Sequence, residues 1–496
     1  MSGDYQTFQQ NVGVKENHTC HDQMDLRLRQ SPSTESVTDP GRACFTVGEA
    51  IEDMGFGWFQ VKLSLLTGLV WIADAMEIMV VAILGPILTC EWGLHTWQQA
   101  FLASIIFLAF VLGYLLFGIF ADKYGRKTIL LLMSTWAAYF GVLTAASPLY
   151  IVLVILRFLT CLGVSCGIQS VTLNAEFLPT QNRGAALIVL ALFFGIGGSL
   201  EVVLALLLVN SFGWRWWLVF SALPLVVYIL LAMFWMPESP RYNVAIGETE
   251  SAMEALRMVA ANNKKQLPKG KLVAETQERR GNIRDLLRPE FTRTTLLLWV
   301  NWFVAGFLYY GVVLISTEMI HHDPGIDVED TVISCPSECP GLTQRQYLDL
   351  LWTSFGEIPG VLLVAVFVDR VGRKAVAACS FIITAVVLML LILCTYRSIM
   401  LLLLFVARGL LQAAFQTIVI FTPEFYPTCV RALSLGTGAA IGRVGALITP
   451  YIAQVLIRLS LGASLSLYAA LAMVGAIATV TLPKDTKGKV LKSGFD

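Results

Sequence analysis

Residues 118–127 read GIFADKYGRK, and residues 365–374 read AVFVDRVGRK. Each stretch is a short charged loop between two long apolar runs, and the second copy follows the first by about half of the 496-residue chain. A charged loop that returns at this distance indicates that one helical bundle was built twice. A single Asp-x-x-Gly-Arg-Lys would carry little weight. The repeat with apolar flanks predicts a membrane protein made of two related halves.

Apolar runs long enough to cross a bilayer lie on both sides of these loops. The predicted spans are 62–90, 97–120, 128–147, 150–174, 184–210, 216–236, 294–318, 346–368, 375–396, 398–421, 432–457 and 463–482. The predicted fold is therefore an all-α membrane protein with twelve transmembrane helices in two pseudo-symmetric six-helix bundles.

These spans divide the chain into five parts. Residues 1–59 are polar, lack the apolar core of a cleaved signal peptide and are expected to form a disordered tail. The other parts are an N-terminal bundle over 60–237, a central loop over 238–293, a C-terminal bundle over 294–482 and a tail over 483–496.

The composition agrees with a membrane protein and argues against several other classes. Hydrophobic residues make up 56% of the chain and charged residues 14%, whereas soluble proteins carry about 25% charged residues. The net charge of zero gives no reason to expect a nucleic-acid partner. The sequence has no phosphate-binding loop and no CxxC spacing. We therefore expect no enzyme activity, no cofactor and no metal.

The positions of Lys and Arg predict the orientation. The loops after the second, fourth, eighth and tenth spans are basic, and so is the central loop, whereas 319–345 is acidic. The positive-inside rule then predicts that both termini are cytosolic, in the plasma membrane or in an intracellular vesicle. Cys335 and Cys339 would face the outside or the vesicle lumen, where they could form a disulfide.

Further motifs narrow the class. The repeated loop resembles the signature loop of the major facilitator superfamily, with one departure: Ala365 stands where the first copy has Gly118, a glycine expected to allow close helix contact. Segments 176–184, 424–432, 237–242 and 483–488 resemble its sugar-porter and organic-ion branches. Segments 62–77, 169–179 and 443–450 resemble its synaptic-vesicle-two-related (SVOP) branch, above all the SVOP-like transporters. The resemblance implies transport of an organic ion.

Charged groups inside a membrane are costly and are therefore functional candidates. Asp74 and Glu77 lie on one face of the first span, a turn after Trp71. Two carboxylates held together in a low dielectric suit proton coupling or a cation site. The alternative is that one of them only forms a salt bridge to a neighbouring helix.

Other intramembrane charges have structural alternatives. Glu357 and Arg443 lie at depth in the eighth and eleventh spans, where a structural pair between them is favoured over substrate contact. Arg157 resembles the superfamily arginine of the fourth span. Glu201 is predicted to lie near the membrane interface with its carboxylate reaching the water.

Uncharged polar groups occur on helices expected to line a central cavity. Each one alone is more often an interhelical hydrogen bond than a ligand. Together they predict an amphipathic pocket for a small organic ion. These residues are Gln169, Tyr309, Tyr310, Gln412 and Gln416.

The superfamily resemblance also implies a gate on the cytosolic side. Asp122 and Asp369 would each face the positive end of a helix in the other half, the starts of the eleventh and fifth helices respectively. Such contacts would form only when the cytosolic side is closed. The alternative is that these acids only fix the loop topology. The predicted gating residues are Asp122, Arg126, Glu176, Arg183, Asp369, Arg373, Glu424 and Arg431.

Two functions remain. The first is a secondary active or facilitative transporter of a small organic solute, working as a monomer in the bilayer by alternating access. The second is a transporter-like protein that no longer transports and acts as a sensor or a vesicle-membrane binding partner. The complete gating loops favour the first. The charge of the solute stays open, because the acidic pair suits cations or protons and the arginines suit an anion.

Overall fold

The computed structural model describes residues 44–180, 183–273, 283–321, 342–393 and 396–483, with the backbone alone at positions 183, 185–187, 428, 429 and 432. The described residues form two compact units. The larger one comprises the described parts of Gln60–Glu238 and Gln277–Asp496, and the smaller one those of Met1–Phe59 and Ser239–Thr276.

The larger unit is a bundle of membrane-spanning helices. Twelve helices of the described chain are long and apolar enough to cross a membrane, and we number them α1 to α12. The first half holds α1 (Trp58–Trp92), α2 (Thr96–Tyr124), α3 (Arg126–Thr144), α4 (Tyr150–Glu176), α5 (Arg183–Phe212) and α6 (Trp214–Trp235). The second half holds α7 (Pro289–His321), α8 (Gln344–Val371), α9 (Arg373–Leu393), α10 (Arg397–Glu424), α11 (Leu433–Leu459) and α12 (Leu461–Thr481).

The predicted fold is confirmed, and most helix ends agree with the sequence within a few residues. The helical backbone leading into α11 begins at Thr428, and a π-helical turn at Tyr451–Leu456 follows Pro450. Connections of one to a few residues join most neighbouring helices, so successive helices run in opposite directions. We call the side where α1 begins and α12 ends the terminal side, and the other the opposite side.

Apolar side chains cover the outside of the bundle. Phe234 is 87% exposed and Leu393 is 78% exposed, and many other large apolar residues are similarly open. In water such a surface would associate with other apolar surfaces. Since the backbone polar groups are satisfied within helices, hydrocarbon chains of a bilayer can cover it.

Each copy of the repeated loop makes its turn at a glycine. Gly125 and Gly372 connect α2 to α3 and α8 to α9, with φ of 93° and 112°. Residues with a Cβ are strained in this region, so the tight turn requires glycine. In the first half the N-terminus of α3 is also capped, because Glu238 accepts hydrogen bonds from the backbone N–H groups of Arg126 and Lys127 at 2.9 and 3.0 Å.

Close helix crossings also depend on glycine, but not on the one that the sequence suggested. A Cβ on Gly306 of α7 would lie 2.1 Å from the carbonyl oxygen of Gly442, and one on Gly360 of α8 would lie 2.1 Å from that of Gly409. A Cβ on Gly118 would meet only Gln169, at 3.9 Å. The expected close contact at Gly118 is therefore absent.

The smaller unit corrects part of the predicted disorder. Residues Cys44–Phe45 (β1) pair in parallel with Lys271–Leu272 (β2). Thr46 and Glu49 then cap the helix Val47–Met54 reciprocally, and its apolar face is buried. Within the expected tail, residues 44–54 are thus ordered, since capping and burial offset the entropy of ordering them. Residues 1–43 lie outside the described chain.

A glycine substitution tests the crossing of α8 and α10. We expect Gly360→Ala to destabilise the protein by about 1–3 kcal/mol, because the added methyl group overpacks two backbones. Gly118→Ala is the matched control and should change the stability by less than about 0.5 kcal/mol. Thermal unfolding of the purified protein in detergent measures both. Equal melting temperatures for the two variants would contradict the packing described here.

Candidate functional site

A cavity lies between the two halves of the bundle. Its volume is about 890 Å³, which includes the solvent-filled space at its opening. Most of its wall is apolar. The lining aromatic residues are Trp71, Tyr114, Phe194, Trp302, Tyr309, Tyr310 and Phe415, and the lining polar ones are Gln412, Gln416 and Arg443.

Many of the residues predicted to form this pocket do meet there. Trp71 of α1, the two tyrosines of α7 and the two glutamines of α10 all line the cavity. Trp71 is held in place because its Nε1 donates to Ser170 Oγ at 3.2 Å. Gln169, Asp74 and Glu77 are buried, but they are not among the residues that line the cavity.

Arg443 is the central charged group of the cavity wall. Its guanidinium lies over the rings of Phe110, Tyr114 and Tyr310, at 4.7, 5.1 and 5.0 Å from their centroids. It also donates to Tyr114 Oη at 2.6 Å. Its carboxylate neighbour is Asp74, whose Oδ2 is 3.8 Å from Arg443 Nη2. Because Tyr114 and Asp74 belong to the first half and Arg443 to the second, this cluster joins the halves.

Glu77 has a different partner from Asp74. Arg157 of α4 forms a buried ion pair with it inside the first half, and the Cys161 thiol lies 3.7 Å from the same carboxylate oxygen. The two predicted acids thus serve two separate arginines rather than forming one shared site. A buried pair of this kind is stable only if both charges remain compensated.

The expected pair between Glu357 and Arg443 is wrong. Glu357 instead accepts from Arg408 Nη2 at 2.5 Å and from Tyr309 Oη at 2.9 Å. Arg408 of α10 is 1% exposed, and its Nη2 also lies 3.6 Å from the sulfur of Met79 in the first half. The guanidinium of Arg443 instead contacts Asp74 and three aromatic rings.

Arg408 was missed by the sequence analysis, although the repeat contains a signal for it. Arg157 lies on α4 and Arg408 on α10, the corresponding helices of the two halves. Each has a buried glutamate as its partner. Extending the repeat beyond the loops would have singled out Arg408.

Glu201 also departs from the prediction. It is completely buried in α5, and its carboxylate accepts from Ser221 Oγ at 2.6 Å. The predicted interfacial position is therefore wrong. The reason is that α6 packs over this face of α5 and supplies the hydroxyl that compensates the acid.

A polar cluster joins the halves on the opposite side. Gln99 Nε2 of α2 donates to Glu318 Oε1 of α7 at 2.5 Å. Arg458 of α11 donates to the other oxygen of Glu318 at 3.0 Å and to Gln99 Oε1 at 3.2 Å. We call these three residues the opposite-side cluster. Sequence reasoning overlooked them because groups near the ends of spans are usually assumed to be solvated.

The predicted gating residues form one charge cluster in each half. In the first half, Arg126 pairs with Glu176 and lies 3.6 Å from Asp122. In the second half, Arg373 pairs with Glu424 at 3.2 Å and with Asp369 at 2.9 Å.

Four further predicted side chains differ in how far the structure describes them. Arg431 donates to the carbonyls of Pro423 and Tyr426. The side chain of Arg183 is outside the described part of the chain, and so are Cys335 and Cys339. Cys90, near the end of α1, is disulfide-bonded. No metal-binding group of His, Cys, Asp or Glu occurs among the described residues.

The bundle and its repeated loops can now be compared with known proteins. The sequence matches the family description "Major Facilitator Superfamily" over residues 66–336 and 350–495. The chain belongs to this superfamily.

Relatives within the Major Facilitator Superfamily carry the names that the motifs suggested. The synaptic vesicle 2-related protein of Pongo abelii is 44% identical over 462 residues, which covers 92% of this chain and 84% of that protein. The SVOPL protein of Homo sapiens is 37% identical over 459 residues, covering 90% and 93%. Both names of the expected branch thus occur, with the higher identity to the former.

Solved structures show the same superfamily fold. The inward open conformation of the xylose transporter XylE from E. coli has a TM-score of 0.66 and 16% identity, covering 87% of this chain and 98% of that one. At this identity the likeness concerns the fold alone.

The buried pair in the second half makes a stability prediction. Glu357→Gln should destabilise the protein by about 3–5 kcal/mol, because Arg408 would keep its charge in the core without a carboxylate. Combining it with Arg408→Met should recover at least half of that loss. Arg215→Gln, which breaks an exposed pair with Glu91, is the control and should cost less than about 1 kcal/mol. Denaturation in detergent measures all four proteins, and a double variant no more stable than Glu357→Gln would contradict the pairing.

Proposed function

We propose that this protein carries a small organic ion across a membrane by alternating access, with the aromatic cavity as the substrate site. The observation that carries the proposal is the position of the cavity. Its wall is built from both halves of a superfamily bundle, so a rocking of the halves would open it to one side and then to the other.

The positions of the lining residues along their helices support an opening of the cavity toward the terminal side. Gln412, Gln416 and Val419 line it on successive turns of α10 toward the terminal end of that helix. On the other side, the opposite-side cluster joins α2 to α7 and α11. This arrangement supports an inward-facing state, with the terminal side in the cytosol. The basic residues of the terminal-side loops favour the same orientation.

The charge clusters of the repeated loops would act in the other state. When the terminal side closes, Asp122 would approach the start of α11 and Asp369 the start of α5, where unpaired N–H groups carry positive charge. In the present state the side chain of Asp369 is 74% exposed, so Asp369 can exchange its solvent-exposed pair with Arg373 for such a contact. A contact of this kind contributes up to about 2 kcal/mol, which changes a two-state ratio about thirtyfold.

Proton coupling would involve the acids of α1. Asp74 and Glu77 are each paired with an arginine, and each pair links α1 to another wall of the bundle. Protonation of either acid would release its arginine and change the contact between helices. This gives a physical link between a proton gradient and the movement of α1.

Uptake into liposomes tests both the transport and its coupling. Purified protein would be reconstituted with an internal pH dye and offered radiolabelled benzoate, tetraethylammonium or xylose under an inward proton gradient. We expect at least one of these solutes to enter with protons, and Glu77→Gln to slow that entry at least tenfold by uncoupling the Arg157 pair.

Glu91→Gln is the matched control, since Glu91 lies on the same helix but outside the cavity lining. It should transport at the wild-type rate. Gradient-driven uptake at full rate by Glu77→Gln would refute the coupling. Failure of all three solutes to enter would favour a sensor or binding partner without transport.

A further inference from the structure

The charged side chains of the cavity wall indicate the charge of the substrate. Arg443 is the only charged side chain among the described residues that line the cavity. The two acids of α1 are not among the residues that line the cavity: Asp74 Oδ2 lies 3.8 Å from Arg443 Nη2, and Glu77 is paired with Arg157. A bound molecule would therefore meet a positive charge first.

Two hydrogen-bond donors of this wall have no protein partner. Nη1 of Arg443 and Nε2 of Gln412 are buried atoms without an acceptor in the described chain. Arg443 is 7% exposed and Gln412 is 1% exposed, and both line the cavity. Buried donors without acceptors are costly, so a ligand that brought an acceptor to either atom would recover that cost.

The aromatic rings by themselves would suit either charge, because ring faces also attract cations. Here the rings of Phe110, Tyr114 and Tyr310 already face the Arg443 guanidinium. A second cation beside it would be repelled. The remaining rings, which include Trp71, Trp302 and Phe415, offer an apolar surface for a planar body.

We infer that the substrate is an organic anion, with a carboxylate or similar acceptor group bound by Arg443 and Gln412 and a planar apolar body held among the rings. This inference deepens the proposed function and rests on it. Asp74 then has a defined role as the internal counter-ion of Arg443. The substrate anion and Asp74 compete for the same guanidinium, so neutralising Asp74 strengthens anion binding.

Three molecules of one shape and different charge test the inference. These are 2-naphthoate, 2-naphthamide and 2-naphthamidine, which carry negative, zero and positive charge at pH 7.4. Binding to the full-length protein in nanodiscs would be measured by isothermal titration calorimetry. We expect 2-naphthoate to bind at least about tenfold more tightly than either of the others, as a charge-assisted hydrogen bond allows.

Two variants separate the inferred anion site from a cation site. Arg443→Gln should weaken 2-naphthoate binding at least about tenfold, and Asp74→Asn should strengthen it about threefold or more. Arg215→Gln replaces an exposed arginine outside the cavity lining, and this control should bind 2-naphthoate like the wild type. A cation site at Asp74 would show the reverse pattern, with 2-naphthamidine binding lost in Asp74→Asn.

Any other order of the three ligands, including no binding by any of them, overturns the inference. It fails separately from the proposed function. Preferred uptake of tetraethylammonium into liposomes would support transport while refuting the anion site. Selective binding of 2-naphthoate without any uptake would support the anion site while refuting transport.

Discussion

The cost of an uncompensated charge inside the membrane governs the interior of this bundle. Three buried arginines are each compensated by a paired acid: Arg157 by Glu77, Arg408 by Glu357, and Arg443 by Asp74. Each pair connects two helices that are distant in the sequence, so the pairs also fix which helix faces pack together. The first pair lies within the first half and the second pair within the second half, whereas the third pair bridges the halves. The bridging pair is therefore the one that any movement between the halves must disturb.

This bridging pair is also the least complete of the three. The guanidinium of Arg443 lies 3.8 Å from its acid, whereas Arg408 approaches Glu357 to 2.5 Å. A fully compensated charge would contribute only to the stability of the bundle. A charge that is only partly compensated, and that lines a cavity, can exchange its internal partner for a ligand. Binding, proton uptake and the movement of the halves would thus share one residue.

The sequence predicted the architecture well because hydropathy, the repeated loop and the glycine turns are local signals. It also identified Trp71, Tyr309, Gln412 and other residues that meet in the cavity, because the family resemblance shows which helices line it. Pairing was predicted poorly. Glu357 joins Arg408 rather than Arg443, and Glu201 is buried under α6, because the rotation of each helix and the packing of its neighbours decide which groups meet. Gln99, Glu318 and Arg458 were missed because they lie near the ends of spans, where side chains are usually assumed to be solvated.

The central claim is that closing one side of the bundle opens the other. Spin labels at Trp97 and Leu459 would report on the opposite side, and labels at Tyr124 and Val371 on the terminal side, in a protein whose native cysteines are replaced by serine. Double electron–electron resonance in nanodiscs would give both distances, with and without Arg458→Gln, which breaks the opposite-side cluster. The account predicts that this variant lengthens the opposite-side distance and shortens the terminal-side distance. Unchanged distances, or changes in the same direction on both sides, would contradict alternating access.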